Sequence, residues 1–393
     1  MARGKYIAGQ SYSALNTARL VKGGREYFDL MLSLINSAKD TIHLQTYIFR
    51  EDTTGTMVAD ALINAAARKV KVYLMADGYA SQSLSAKMLS QLADAGVHFR
   101  FFEPLVRSKY FYFGRRMHHK VMVVDSRYAL VGGINIADHY NDLDDKPAWL
   151  DFALFTEGVV ANELCVLCWK TWKSFPLKMG ITPCERQNKV IDLVHGNSCN
   201  LRMRRNDWVR RKNQISASYI EMIRLAQSNI TIMCSYFLPG ETIRRLLGQA
   251  AQRGVRIRVI TAGPSDVMLS KHAERWLYDW LLRHSIELYE YQPKVLHAKI
   301  AVCDGEWFTV GSYNINKLSA YASIELNIDV QDAILAKDVV QMMDRFIKND
   351  CIAITPETHH KHKNIFSQLI RWSSYQLLRL MFFMLTFYYK RKK

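Results

Sequence analysis

The chain has 393 residues, with 53 Lys and Arg against 36 Asp and Glu, for a formal charge of +17. That length exceeds one compact core and points to two domains, while 49% hydrophobic and 23% charged residues exclude a disordered chain. No apolar run approaches the roughly 20 residues of a spanning helix, which excludes a multi-span membrane protein; the excess positive charge calls for nucleic acid, a phosphate-bearing substrate or acidic lipid as partner.

The first residues, Met1 to Lys5, lack the apolar core of a signal peptide. Residues 40–49 alternate as a strand and carry Tyr47; 57–68 read as a helix, 70–76 as a second strand, 84–95 as a helix and 97–102 as a third strand. Residues 107–116 interleave bases with aromatics, and Tyr110 to Phe113 read equally as a membrane insertion point and as a buried strand or loop. Cys165 and Cys168 sit in an apolar helical pattern and read as structural. The seven cysteines are scattered and odd in number, which favours a reducing, cytosolic setting. A join over 175–213 holds Pro176, Pro183, Gly196 and the basic cluster Arg202, Arg204, Arg205, Arg210, Arg211 and Lys212, opposed only by Asp207. The same order of elements then returns: strand 229–238 with Tyr236, helix 242–253, strand 255–261, helix 273–282 and strand 286–291. Such alternation predicts an α/β fold with a mixed, mostly parallel sheet flanked by helices. The repetition predicts two duplicated domains, 1–180 and 214–350, arranged as a pseudo-two-fold dimer within one chain. A basic linker, 181–213, joins them, and a basic, aromatic-rich C-terminal segment, 351–393, follows.

Each third strand precedes a histidine motif. The first is His118, Lys120, Asp125, Gly132, Gly133, Asn135; the second is His297, Lys299, Asp304, Gly311, Ser312, Asn314. The spacing agrees at every step, and two copies with the same preceding elements are strong evidence for a site. His and Lys two apart on a strand face the same side, so an imidazole and an ammonium converge on one target. Asp125 and Asp304 read as turns into a return strand, a role that suits them better than direct catalysis. That strand brings Gly132 and Gly133, or Gly311 and Ser312, back to the His–Lys end, where Asn135, Asn314 and Ser312 offer donors to an oxyanion. Two lysines around one tetrahedral phosphate leave no need for a metal. A carboxylate opens the next strand in each half, Asp151 and Glu325, and is suited to fix the tautomer of a reactive histidine. Glu157 is the alternative to Asp151. His119 points to the opposite face from His118 and reads as structural. His359, His360 and His362 belong to the basic tail.

The motif pair resembles the signature of the phospholipase D superfamily, His-x-Lys-x4-Asp-x6-Gly-Ser/Gly-x-Asn, over roughly residues 17–345. Within it the chain is most similar to bacterial cardiolipin synthases. The grounds are Gly132, Gly133 and Asn135, the preceding Arg115 and Arg116, the Asp52 to Gly55 segment, Ala95 to Val97 and Tyr236 to Pro239. Gly133 departs from the Ser found at 312, and the His284-Ser285-Ile286 segment lacks the Gly that the first half has at Gly96. The resemblance implies two phospholipase D-like domains with the active site at their interface. It implies a catalytic set of His118, Lys120, Asp125, His297, Lys299 and Asp304. It also implies a two-step exchange through a phosphohistidine, with His118 as nucleophile and His297 as acid and base by analogy, an assignment that the near-symmetry leaves reversible. Transfer between two phosphatidylglycerols would give cardiolipin and glycerol with no cofactor. The rivals are phospholipase D hydrolysis, exchange with another alcohol as in phosphatidylserine synthesis, a nuclease of the same superfamily, and a membrane adaptor with a decayed site. The implied partners are phosphatidylglycerol and anionic membrane lipid, with no nucleic acid and with a homo-oligomer left open. The implied location is the cytoplasmic face of a bacterial inner membrane, peripheral or monotopic.

The last segment, from His359, carries eight Lys and Arg and no Asp or Glu. Ten uncharged residues separate Arg379 from Lys390, about half a hydrocarbon core at ~1.5 Å each. On a wheel of about 100° per residue, Arg379 and Thr386 fall near Gln368, with Arg371 about 60° away. This narrow polar stripe predicts an amphipathic helix lying on a membrane through Arg371, Trp372, Arg379, Phe382, Phe383, Lys390 and Arg391. The other reading is a helix packed on the second domain.

Overall fold

The computed structural model describes residues 11–103, 115–144, 146–173, 184, 198–361 and 364–390, with the side chains of 360–361 and 385–390 left aside. The first half runs β1 (Ser13–Lys22), α1 (Arg25–Ser37), β2 (Thr41–Thr46), α2 (Thr53–Ala67), β3 (Lys71–Asp77), α3 (Ala86–Asp94), β4 (His98–Phe102), β5 (Arg116–Met117), β6 (Lys120–Val124), β7 (Tyr128–Gly132), β8 (Phe152–Gly158) and α4 (Val159–Lys173). The second runs β9 (Cys199–Asp207), β10 (Lys212–Asn213), α5 (Gln214–Leu225), β11 (Asn229–Cys234), α6 (Glu241–Gln252), β12 (Arg256–Ala262), α7 (Met268–Trp276), α8 (Tyr278–Arg283), β13 (Glu287–Tyr291), β14 (Lys299–Cys303), β15 (Trp307–Gly311), α9 (Lys317–Tyr321), β16 (Ser323–Gln331) and α10 (Ala333–Asp350). After them come β17 (Cys351–Ile354), α11 (Pro356–Lys361) and α12 (Ile365–Lys390).

The strands pair in the order β4-β3-β2-β6-β7-β8-β1-β9-β16-β15-β14-β11-β12-β13-β17. The duplication is therefore visible as two mirrored runs meeting at β1 and β9. Parallel order within this ladder is confined to β2-β3-β4 and β11-β12-β13, so the expectation of a mostly parallel sheet is corrected. The cause is the motif itself: tight turns between β6 and β7, and between β14 and β15, can join only antiparallel neighbours. Asp125 and Ser126 take φ of 51° and 58°, and Asp304 and Gly305 take 52° and 65°, as a two-residue hairpin turn with the strands' own twist requires.

Both faces of the sheet are buried. Val121, Val123, Leu150, Leu296, Ile300 and Val302 share a single core that crosses from one half to the other beneath α4 and α10. Separate cores lie under α1 to α3 and under α5, α6 and α8. Strands buried on both sides need near-continuous apolar runs, and the Val-Met-Val-Val of β6 and the Ile-Ala-Val-Cys of β14 supply them.

Three further expectations change. Cys199–Asp207, read as part of a basic linker, is the strand β9 between β1 and β16. Its arginines are buried and paired: Arg202 binds Asp329 at 2.9 Å and Glu221 at 3.0 Å, Arg204 approaches Asp329 at 3.5 Å, and Arg205 binds Asp207 at 2.8 Å. The tail, read from residue 351 onward, begins with β17, which pairs with β13. Cys165 and Cys184 form a disulfide, whereas the scattered, odd-numbered cysteines read as favouring a reducing setting.

Asp329 is fully buried between Arg202, Arg204 and Ser218. Removing one partner of a buried ion pair strands the others, at a cost of about 3–5 kcal/mol. Asp329→Ala is expected to lose about that much stability in urea unfolding; a loss under about 1 kcal/mol would contradict a structural role for this cluster.

Candidate active site

The two histidines are brought together by a pair of contacts between the halves. β5, just before His118, pairs with Ser323–Ile324 at the start of β16, and the His118 N–H donates to the Ile324 carbonyl at 3.0 Å. In the second half the His297 N–H donates to the Leu150 carbonyl at 2.8 Å. Each histidine thus sits beside the carboxylate that opens the other half's strand. His118 Nδ1 lies 2.9 Å from Glu325 Oε2, and His297 Nδ1 lies 2.6 Å from Asp151 Oδ2. Both carboxylates are fully or almost fully buried. Glu157, the alternative, is bound to Arg127 at 2.6 Å instead. A carboxylate on Nδ1 holds the proton there and leaves Nε2 with its lone pair directed at substrate.

Lys120 and Lys299 follow on the same strand face. Each ammonium donates to the carbonyl of the histidine two residues before it, and Lys299 Nζ lies 3.0 Å from His297 Nδ1. The site is largely buried, and its charges follow from that. Burial holds His118 below the ordinary imidazole value, against the pull of Glu325, and pushes Lys120 down to about 7. Burial likewise holds His297 well below its ordinary value, with Lys299 adding to the effect, and lowers Lys299. Asp151 is pushed up to about 7 by burial, against the pull of Lys299.

The glycines make room for these carboxylates. A Cβ on Gly132 would stand 2.5 Å from the Phe152 carbonyl, and one on Gly133 would stand 2.5 Å from Asp151 Oδ2. In the second half Ser312 uses its hydroxyl, donating to Glu325 Oε2 at 2.5 Å. Gly133 and Ser312 thus seat the carboxylates and do not present donors to a ligand. Asn135 is also committed: its Oδ1 accepts from the Ile48 N–H at 3.0 Å and its Nδ2 donates to Tyr140 Oη at 2.8 Å. Asn314 accepts from Ser235 Oγ at 2.8 Å through Oδ1.

Asp125 and Asp304 are corrected as catalytic residues. Five residues at ~3.3 Å each place them at the far end of β6 and β14 from the histidines. There Asp125 accepts from the N–H groups of Lys39, Asp40 and Thr41 at 2.8–2.9 Å, and Asp304 from Gln227, Ser228 and Asn229 at 2.8 Å. They clamp each hairpin to the strand beside it.

Several residues escaped the sequence reading. Tyr140 Oη lies 3.4 Å from His297 Nε2, while the equivalent position in the second half is Ser319. Tyr47 packs edge-on to His118 and lies under Lys120. Asp77 accepts from the Met117 N–H at 2.9 Å and so holds the approach to His118. Only the recurrence of Tyr47 and Tyr236 was a signal for any of these. His119 is buried on Gln45 at 2.8 Å, a structural place. Among the described residues, the one group with metal-ligand spacing is His43, Cys165 and Cys184, whose two sulfurs are joined to each other.

The membrane residues divide. Trp372, Arg379 and Phe383 are exposed. Arg371 is buried, with Arg275 and Asp279 in its surroundings, and Phe382 is half-buried with Leu238, Leu277 and Leu378. These two are corrected: α12 packs on α7 through that side. The Lys390 side chain, Arg391 and the Tyr110–Phe113 stretch lie outside the described residues.

Two mirrored α/β halves, each lending the other a carboxylate for its histidine, define a duplicated phospholipase D-type fold. The chain belongs to the family of cardiolipin synthase phospholipase D-like domains, whose signature matches residues 31–146 and 219–347. It is 32% identical over 346 residues to cardiolipin synthase B of Salmonella typhimurium, covering 86% of this chain and 81% of that one. It is 29% identical over 320 residues to a probable cardiolipin synthase of Bacillus subtilis, covering 80% and 63%. Among solved structures, a phosphatidylserine synthase of Haemophilus influenzae superposes with a TM-score of 0.72 at 13% identity, over 94% of this chain and 95% of that one. That likeness concerns the fold.

The charges set a pH profile. His118, held below its ordinary value by burial, keeps its lone pair to lower pH than a free imidazole does, whereas Lys120 loses its charge as pH rises through about 7. The kcat/KM of the enzyme is expected to hold on the acid side and fall above about pH 7. A bound phosphodiester stabilises the ammonium, so kcat should fall only at higher pH. A kcat/KM that climbs steadily from pH 7 to 9 would contradict this electrostatics.

Proposed function

We propose that the chain is a phosphatidyltransferase that joins two phosphatidylglycerols into cardiolipin and releases glycerol. The observation that carries this reading is the crossed pair, His118 on Glu325 and His297 on Asp151, set beside two buried lysines, Lys120 and Lys299. His118 Nε2 attacks phosphorus in line. The bond from phosphorus to the glycerol oxygen breaks, and His297, entering the step as the imidazolium that the bound phosphodiester favours, with Nδ1–H on Asp151, gives its Nε2 proton to the leaving glycerol and becomes the neutral imidazole. The phosphatidyl group now rests on His118. His297 then takes the proton from a hydroxyl of the second phosphatidylglycerol, whose oxygen displaces the His118 nitrogen. Lys120 and Lys299 carry the charge that builds on the phosphoryl oxygens. One phosphodiester replaces another, so the exchange needs no nucleotide. The choice of His118 as nucleophile rests on access: its side chain is 19% exposed, against 7% for His297, whose Nε2 faces Tyr140.

The substrate is a lipid, and α12 supplies a means of meeting it. Ile365, Phe366, Leu369, Trp372, Leu380, Phe383 and Met384 are exposed. No described helix is long and apolar enough to cross a membrane. The helix is read as lying on an anionic bilayer at the cytoplasmic face, where each large side chain buried contributes about 1.5–3 kcal/mol. Trp372→Asp with Phe383→Asp should cut flotation with phosphatidylglycerol liposomes at least tenfold while leaving thermal unfolding unchanged; undiminished flotation would remove α12 from this role.

The reaction is tested with phosphatidylglycerol vesicles and no added metal. Cardiolipin and glycerol in equal amounts are expected, with His118→Ala and His297→Ala each lowering turnover by on the order of 10³ or more. Phosphatidic acid as the main product would make the chain a hydrolase. Cleavage of plasmid DNA without lipid turnover would make it a nuclease.

A further inference from the structure

A cleft of about 150 Å³ opens where the middle of α12 meets the start of α6 and the start of α9. Leu238, Leu378 and Phe382 give it an apolar wall, while Arg244, Lys317 and Arg379 bring three cations to it against one carboxylate, Glu241. Among the described residues none of these cations makes an ion pair. Arg379 spends one N–H on Gln376 at 3.2 Å. Arg244 lies over the Trp280 ring at 6.0 Å, and its Nε is buried without a hydrogen-bond partner.

The backbone adds to this positive field. The twelve-residue helix α6 begins at Gly240 with no side chain capping its first N–H groups, and the Lys317 stem lies alongside Gly240. A cation placed at the positive pole of a helix is unfavourable unless an anion sits with it. The cations therefore ask for a phosphate, and the apolar wall asks for hydrocarbon.

The cleft also shares two segments with the catalytic centre. Lys317 is three residues beyond Asn314. Leu238 is three beyond Ser235, whose hydroxyl donates to Asn314, and the Leu238 N–H donates to the Ile315 carbonyl at 3.0 Å. α12 leads to this point, since Arg371 lies near Arg275 and Asp279 and the Tyr375–Phe382 stretch lies beside Leu238 to Gly240. Its exposed apolar face continues past the cleft to Phe383 and Met384.

We propose that this cleft is a second binding site for an anionic phospholipid, separate from the catalytic phosphate site. The headgroup phosphate is held by Arg244, Lys317 and the first N–H groups of α6, and an acyl chain runs along Leu378 and Phe382. Phosphatidylglycerol as the native occupant rests on the phosphatidyl-transfer reading; the site itself does not.

The test uses the full chain carrying His118→Ala, so that lipid binds without turning over, and dihexanoyl phosphatidylglycerol as a soluble probe in isothermal titration. Two lipids per chain are expected. Adding Arg244→Gln with Lys317→Gln should leave one site and weaken the other at least tenfold, and Arg379→Gln alone, at an exposed position, should weaken it severalfold. Glycerol 3-phosphate should not displace the second lipid. One lipid per chain before these changes, or two with unaltered affinity after them, overturns the proposal. Displacement by glycerol 3-phosphate at equal affinity also overturns it, and makes the cleft a site for free phosphate. Failure of the unaltered enzyme to form cardiolipin, with two lipids still bound, would sink the transferase reading and leave the cleft standing.

Discussion

Everything at the centre of this molecule depends on one exchange: each half gives its carboxylate to the other half's histidine. His118 is oriented by Glu325 and His297 by Asp151. Neither half alone holds a complete imidazole–carboxylate pair, so the site exists only where both halves meet. The meeting is enforced by backbone. The Ile324 and Leu150 carbonyls accept from the histidine N–H groups, and each stands one residue before its carboxylate. Continuous core packing beneath α4 and α10 then makes the two halves one body.

Burial gives the site its chemistry. The same desolvation lowers both histidines and Lys120 and raises Asp151, so the empty site holds less charge than its residue count suggests. An entering phosphodiester restores that charge where it is needed, because a neighbouring anion favours the protonated lysines. The chain's formal +17 thus has several separate fates. Lys120 and Lys299 stand beside the two histidines. Arg202, Arg204 and Arg205 are spent inside the sheet on Asp329, Glu221 and Asp207. Arg244, Lys317 and Arg379 gather beside α12 with Glu241, and among the described residues none of the three makes an ion pair.

Much of this was legible in the sequence, because spacing along a strand is nearly rigid. His-x-Lys gives one face, five residues give the length of β6 or β14, and Asp-Ser or Asp-Gly gives the turn. The duplication, the hairpins and the candidate carboxylates followed from those facts. What spacing cannot give is which half a carboxylate serves: Asp151 follows the first motif in the chain but belongs to the second histidine in space. Counting charges misled for a related reason. The cluster at 202–212 seemed opposed only by Asp207, whereas Asp329 is far away in sequence and directly across the ladder. The helical wheel of α12 showed a polar stripe without showing which side would pack, so Arg371 and Phe382 were set against a membrane when they lie against or towards α7. Tyr140 left no repeat signal, since its counterpart is Ser319.

The crossed pairing can be observed directly. A proton on imidazole Nδ1 that is hydrogen-bonded to a buried carboxylate gives a far-downfield proton resonance, and 15N-labelled histidine assigns it to its ring. Glu325→Gln should shift or abolish the resonance of His118 and leave that of His297, while Asp151→Asn should do the reverse. If each substitution instead altered the histidine of its own half, the exchange between halves, and the single shared site built on it, would be contradicted.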